Sequence, residues 1–320
     1  MTDACLEYEV VTADGDVLRC TPEGDRALVF QMMNGTFGTL GFVSKLKFRL
    51  VSARPFVHVT YETHGSWRDA SAAIERHAAD PDLDFMDGIL HAPDKHVLSL
   101  GRFVDDAPYT NRYDWMKVYY QSTATRPDDY LATKDYFFRY DHGVTNVHPK
   151  SAAGRLVFGK VLDSSRLLWL ASKLHRFLPD DRPPVTLDVF VPISKAGAFL
   201  DWYEREMKHF PLWCVPYRRV RDYAWLAPDF YAGLRDELFV DLAIYGMEQP
   251  AGRNCYKEIE DELLQVNGIK TLISHNYYDE ETFWRIWNRP NYLAVKRVTD
   301  PRGDFGDLFT KTCRHVGEGA

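Results

Sequence analysis

Between residues 185 and 192 the sequence runs VTLDVFVP, where Val185, Leu187, Val189 and Val191 alternate with Thr186, Asp188 and Phe190. Apolar side chains at a two-residue period predict a strand with one buried face. A helical stretch, SKAGAFLDWYEREMKHF, follows, and then two more strand-like runs, LWCVPYRRV and LFVDLAIYG. The same order occurs earlier as FVHVTYET, the helical WRDASAAIERHAA, FMDGILHA and KHVLSLGRF. Two β-α-β-β units predict an α+β fold: a mostly antiparallel sheet with helices on one face, a layer suited to capping a planar ligand.

A different pattern precedes these units. CLEYEVVTADGDVLRCTP reads as strand, Asp14-Gly15 turn and strand, because β-branched residues flank a dipeptide suited to a tight hairpin. A short helical stretch, EGDRALVFQMM, leads into NGTFGTLGFVSKLKFRL, which sets Gly35, Gly38 and Gly41 in a loop ahead of a strand with alternating apolar and basic residues. Glycines at such a turn let backbone N–H and C=O groups approach a flat or phosphorylated ligand with no Cβ in the way. The same residues also fit a hairpin corner that holds no ligand. A boundary is expected near Ala53-Arg54-Pro55. Farther on, DEETFWRIWN predicts a helix capped by Asp279, and Asp300-Pro301-Arg302-Gly303 a turn.

The connection between the repeats, residues 111–184, is aromatic-rich and irregular. Within it RLVFGKVLDSSRLLWLASKLHRFL, residues 155–178, is amphipathic, with Leu167, Leu168, Leu170, Leu174 and Leu178 at helical spacing. It reads as a core helix or as a helix lying in a membrane interface. It is too short and too charged to span a bilayer.

Composition narrows the class. A length of 320 residues, 45% apolar and 14% aromatic, suffices to bury the core of one large or two ordinary domains. A net charge of −7 without a basic run argues against a nucleic-acid partner. Cys5, Cys20, Cys214, Cys255 and Cys313 are odd in number and dispersed, which argues against a disulfide framework or a structural zinc. A reducing, cytoplasmic location is expected, and the opening MTDACLEYEV lacks the apolar run of a signal peptide. His142 and His148, near Asp135 and Asp141, are spaced for no common ligand pair, so no metal site is expected.

The hairpin, spacer and GTLG loop, in that order and spacing, resemble the second half of the FAD-binding domain of the vanillyl-alcohol-oxidase-like (PCMH-type) flavoproteins. DFMDGILHAPDKHVLSLGRF, KDYFFRYDHG, VTLDVFVPISKAGAFLDWYEREMKHFPLWCVPYR, LFVDLAIYG, HNYYDEETFWRIWNRPNYLAVK and FTKTCR are similar to the Δ24-sterol reductase branch. The resemblance implies three parts: 1–55 as the C-terminal part of a PCMH-type FAD domain, 56–280 as a substrate-binding cap, and 281–320 as a return segment packing on the FAD domain. It also implies a preceding FAD subdomain with a pyrophosphate-cradling loop, for which these residues hold no counterpart. The chain is therefore read as a fragment, or as one half of a flavoprotein completed by a second polypeptide, binding FAD weakly or not at all by itself.

By the same resemblance Asn34, Gly35, Gly38, Thr39, Leu40, Gly41, Phe42 and Val43 contact FAD. Arg139, Tyr140 and Tyr292 face the substrate, and Tyr277 and Lys296 are the catalytic candidates. A cation near the flavin ring stabilises its reduced anion, the role expected of Lys296 if it is not a solvated surface charge. A tyrosine donates the proton that completes alkene reduction, the role expected of Tyr277 if it is not a core aromatic. No histidine or cysteine is placed for covalent flavin attachment. The implied activity is reduction of a carbon–carbon double bond in the side chain of a sterol or other lipid, with NADPH as donor, and with 155–178 as a peripheral membrane contact or, by its match to the region near the substrate in this branch, an entry lip for a lipid. Two alternatives stand beside it: an FAD-dependent oxidase or dehydrogenase of a sugar, alditol or lactone, and a non-catalytic fragment. The aromatic, leucine-rich 111–184 region favours a lipid over a polyol.

Overall fold

The computed structural model describes residues 2–114, 117–141, 184–232 and 234–313. The amphipathic stretch 155–178, His142 and His148 lie outside the described residues. In sequence order come β1 (Cys5–Val11), β2 (Val17–Cys20), α1 (Ala27–Met32), β3 (Phe42–Phe48), β4 (Phe56–His64), α2 (Trp67–Ala78), β5 (Phe85–Ala92) and β6 (Lys95–Val104). They continue with β7 (Asp128–Ala132), β8 (Val185–Pro192), α3 (Ile193–Glu206), β9 (Leu212–Arg218), β10 (Leu238–Met247), α4 (Cys255–Gln265) and β11 (Ile269–Lys270). Last are α5 (Glu280–Ile286), α6 (Arg289–Thr299) and α7 (Leu308–Thr312). The described residues form two compact units, one of 2–52, 219–235 and 272–313, the other of 53–218 and 236–271.

In the second unit the two expected repeats, β4-α2-β5-β6 and β8-α3-β9-β10, build one sheet ordered β11-β8-β10-β9-β5-β6-β4-β7. All its pairings are antiparallel. The repeats join through β5 and β9, with Gly88 opposite Cys214 and Ile89 opposite Trp213, and each repeat is arranged in reverse order about that seam. Val185, Leu187, Val189 and Val191 are fully buried, as their alternation predicts. Helices cover that face: Trp67 of α2 meets His96 edge-on at 6.3 Å, and the Tyr203 hydroxyl of α3 meets the Met247 sulfur at 3.9 Å. On the other face Val57, Val59 and Leu131 lie under Tyr113, Tyr119 and Tyr136. An ion pair with both side chains fully buried, Lys270 to Glu260 at 2.9 Å, ties β11 to α4. The short edge strands β7 and β11 carry no signal in the sequence; at five and two residues they are too short for a periodic pattern.

The first unit holds a three-stranded antiparallel sheet, β2-β1-β3. Tyr8 of β1 packs on Phe30 of α1 with ring centroids 4.9 Å apart. The helices near the C-terminus are short and side-chain capped: Asp279 accepts the Thr282 N–H, as its sequence predicts, and Asn288 accepts that of Asn291 and Asp307 that of Thr310. Residues 219–235 fall within the stretch 56–280 but group with this unit through hydrogen bonds to α5 and α6. Ala227 N donates to the Ile286 carbonyl, Asn288 N to Trp225, and the Asn291 amide to Ala224. Among the described residues no helix is long and apolar enough to cross a membrane.

Candidate functional site

The glycine loop is held by its own hydrogen bonds. Thr39 donates both its N–H, at 2.9 Å, and its hydroxyl, at 2.7 Å, to the Thr36 carbonyl, and the Thr36 hydroxyl donates to Met33. Thr39 and Leu40 are completely buried, so their side chains belong to the core. Asn34 accepts a hydrogen bond from the Tyr8 hydroxyl at 3.1 Å, and Val43 pairs with Val10. Gly41, at φ +137°, is explained within the fold: a Cβ there would stand 2.7 Å from Val10 Cγ1 and 3.1 Å from the Val11 carbonyl oxygen. Gly35 and Gly38 differ. Both have positive φ, a Cβ on Gly35 would meet nothing within 4 Å, and one on Gly38 would meet only the Lys311 ammonium at 4.0 Å. With Phe42, which is 68% exposed, these two glycines form the loop's outward surface.

Lys296 and Tyr292 lie on α6 and brace the loop. The Lys296 ammonium donates to the Thr39 carbonyl at 3.0 Å, to Asp300 Oδ2 at 2.7 Å and to the Gly306 carbonyl at 2.5 Å. Its three N–H groups meet three acceptors within the same unit, so the ammonium serves as a clamp. Burial opposes ionisation of Asp300, but the Lys296 hydrogen bond and the N–H groups of Phe305 and Asp304 hold its pKa below the ordinary value. Tyr292 is buried, its hydroxyl accepting the Leu308 N–H at 3.0 Å and its ring 5.2 Å from Trp284. Burial raises its pKa. That position makes Tyr292 a core residue of the first unit. Tyr277 is half-buried and follows Asn276, whose side chain donates to the Leu272, Ser274 and Thr312 carbonyls.

Arg139 and Tyr140, the other substrate candidates, belong to the second unit and converge on Asp87 of β5. Oδ2 of Asp87 accepts from Arg139 at 2.8 Å, from the Tyr140 hydroxyl at 2.8 Å and from Trp213 Nε1 at 3.0 Å. The guanidinium lies among three rings, 4.0 Å from the centroid of Tyr136, 4.7 Å from Tyr140 and 5.2 Å from Tyr119. Burial opposes its charge more than any one neighbour favours it, but Asp87 together with Tyr140, Tyr119 and Tyr136 outweighs burial and raises its pKa well above the usual value. Burial and then Asp87 push the Tyr140 hydroxyl up as well.

Sequence reasoning misses Asp87, Trp213, Asp241 and Lys311. Asp87 and Asp241 interrupt the apolar runs FMDGILHA and LFVDLAIYG, and a carboxylate inside a buried strand is the signal that could have found them. Among the described residues no group of acidic, histidine or cysteine side chains is arranged to hold a metal ion.

No family model matches the chain. It is 22% identical over 331 residues to the Delta(24)-sterol reductase of Mus musculus and 23% to that of Homo sapiens, with 97% of its own length and 63% of each relative covered. The Delta(24)-sterol reductase of Arabidopsis thaliana is 22% identical over 362 residues, with the same shares covered. The chain thus spans 63% of the length of these curated relatives.

Proposed function

We propose that this chain is the larger part of a flavin-dependent oxidoreductase that reduces a carbon–carbon double bond in the side chain of a sterol or similar lipid. The observation that carries the reading is likeness along 97% of the sequence to Delta(24)-sterol reductases of mammals and a plant. The outward surface of the glycine loop fits one wall of a flavin site. Gly35 and Gly38 leave their backbone open to a flat group, Phe42 is exposed beside them, and the Lys311 ammonium stands next to Gly38 as a cation for a phosphate. Bound FAD, recharged by NADPH, would supply the hydride. The protein's own part is to hold the loop rigid through Lys296, Asp300 and Tyr292 and to bind the lipid.

The edge of the small sheet adds to this reading. Among the described residues β3 pairs only with β1, and on it Phe42, Leu46 and Phe48 are 68%, 48% and 39% exposed. An edge strand with exposed apolar side chains is a template for further pairing. We infer that another polypeptide segment, in the same molecule or a second one, covers β3 and completes the flavin site. The competing sugar-oxidase reading shares the flavin wall but is disfavoured by the face that carries Arg139 and Tyr140, which is aromatic.

The test is a titration with FAD followed at 450 nm, on the 320-residue protein alone and together with a PCMH-type N-terminal half. NADPH and a sterol with a side-chain alkene are then added, and the product is identified by mass spectrometry. Weak flavin binding alone, tight binding in the complex and a saturated side chain are expected. A complex that binds no flavin, or that consumes a polyol and oxygen instead, overturns the reading.

A further inference from the structure

Asp241 is a buried acid at the middle of β10. In the β9–β10–β8 registers Val215 faces Asp241 and Asp241 faces Phe190, and extending the β5–β9 register sets Asp87 opposite Val215. Asp87, Val215, Asp241 and Phe190 therefore form one row on the face opposite the helices, with the two acids two strand spacings, about 10 Å, apart. Their surroundings differ. Asp87 has an unpartnered Oδ1 among the described residues, but its Oδ2 accepts from a guanidinium, a phenol and an indole. Asp241 is only 8% exposed, and its Oδ1 has no hydrogen-bond partner among the described residues.

Among the described residues the groups that act electrostatically with Asp241 are Asp188 on β8, Cys214 and Tyr217 on β9 and Tyr245 on β10, with no cation among them. Burial, and then the charge of Asp188, push its carboxyl up to about 8. Asp188 itself is engaged by the Tyr245 hydroxyl at 2.8 Å. At neutral pH Asp241 is thus mostly a neutral acid with one donor and one acceptor, set among Val215, Phe190, Phe239 and Tyr217. A buried polar atom without a partner costs about 1–3 kcal/mol and calls for an explanation. A neutral acid in an apolar patch matches a neutral hydroxyl, which it can serve as donor or acceptor. An anion would meet repulsion from Asp188.

We propose that Asp241 anchors the hydroxyl group of a neutral, alcohol-bearing lipid on this sheet face, the apolar body of the ligand lying over Val215, Phe190 and Phe239. This deepens the sterol reading and rests on it. Trp213, one row along the same face, provides a fluorescent reporter.

The experiment measures binding of cholesterol, of 5-cholestene, which lacks only the hydroxyl, and of stearylamine, each delivered in cyclodextrin, by quenching of tryptophan fluorescence in the 320-residue protein. Wild type is expected to prefer cholesterol over 5-cholestene by about 5- to 10-fold, the worth of one neutral hydrogen bond. Asp241→Leu should bring that ratio close to one, while Asp241→Asn, which keeps a donor and an acceptor, should retain most of it. An unchanged ratio in Asp241→Leu overturns the anchor but leaves sterol binding standing. Binding of neither sterol by wild type overturns both, and Asp241-dependent binding of stearylamine tighter than that of cholesterol replaces the hydroxyl with a cation. If Asp241→Leu fails to fold, the smaller Asp241→Ala is read in its place with the same two outcomes, and a ratio of one or below in wild type overturns the anchor whatever the variants do.

Discussion

The ammonium of Lys296 donates a hydrogen bond to the backbone carbonyl of Thr39 at 3.0 Å, joining positions 257 residues apart in sequence. The same nitrogen holds Asp300 and Gly306, so one side chain fixes the glycine loop, the end of α6 and the turn that follows it. The residue expected to act on a flavin by its charge is placed to shape the loop that would carry the flavin.

Lys296→Met should therefore destabilise the first unit by about 2–3 kcal/mol, since it strips buried Asp300 of its cation and two carbonyls of a donor. Amide hydrogen exchange at Thr39 and Leu40 should accelerate. A role confined to flavin electrostatics expects the opposite pattern: stability unchanged and only the reduction potential of a reconstituted enzyme lowered.

The glycines of the loop should separate into two kinds. Gly41→Ala combines a strained backbone with a clash against Val10 and Val11, and a loss of about 2–4 kcal/mol is expected with or without flavin. Gly38→Ala meets only the Lys311 ammonium, at an ordinary 4.0 Å, so about 1 kcal/mol of backbone strain is its structural cost. Denaturant unfolding gives both values. If Gly38 faces the cofactor, its variant should lose flavin affinity by more than its small stability loss explains, and equal affinity would remove it from the site.

Asp241 has a folded pKa of about 8, above the roughly 3.9 of an unfolded aspartate. A raised carboxyl pKa favours the protonated folded state, so its contribution to stability falls as pH rises from about 4 to 8 and levels off above. Asp241→Asn should remove that part of the pH dependence and leave the protein more stable than wild type at pH 8, with little difference near pH 4. Parallel urea curves at the two pH values check this, and a wild type whose stability relative to the variant does not change with pH would contradict it.

Lys270 and Glu260 are fully buried partners. Lys270→Met should cost about 3–5 kcal/mol, because a buried carboxylate loses its counter-charge, and adding Glu260→Leu should recover most of the loss. Thermal unfolding of the single and double variants measures the recovery. A double variant as unstable as the single one would show that the pair contributes through something other than its charges.

The sequence by itself determined the repeated β-α-β-β pattern, the buried alternation of VTLDVFVP, the hairpin around Asp14-Gly15 and the cap at Asp279. These follow from local periodicity and turn chemistry, which neighbouring residues carry. Tertiary structure decided the roles of the candidate residues. Whether Gly41 is open or packed depends on Val10 in another strand, and whether Lys296 is free or engaged depends on a carbonyl 257 positions away. Tyr292, expected by resemblance to face the substrate, is seen to be a core residue only when its burial and the Leu308 N–H on its hydroxyl are known. Asp241 looks like an interruption in a strand until the strand order sets it near Asp188, with no cation acting on it among the described residues. Burial and charge environment are properties of contacts between distant segments, and the linear pattern records only which residues are available to make them.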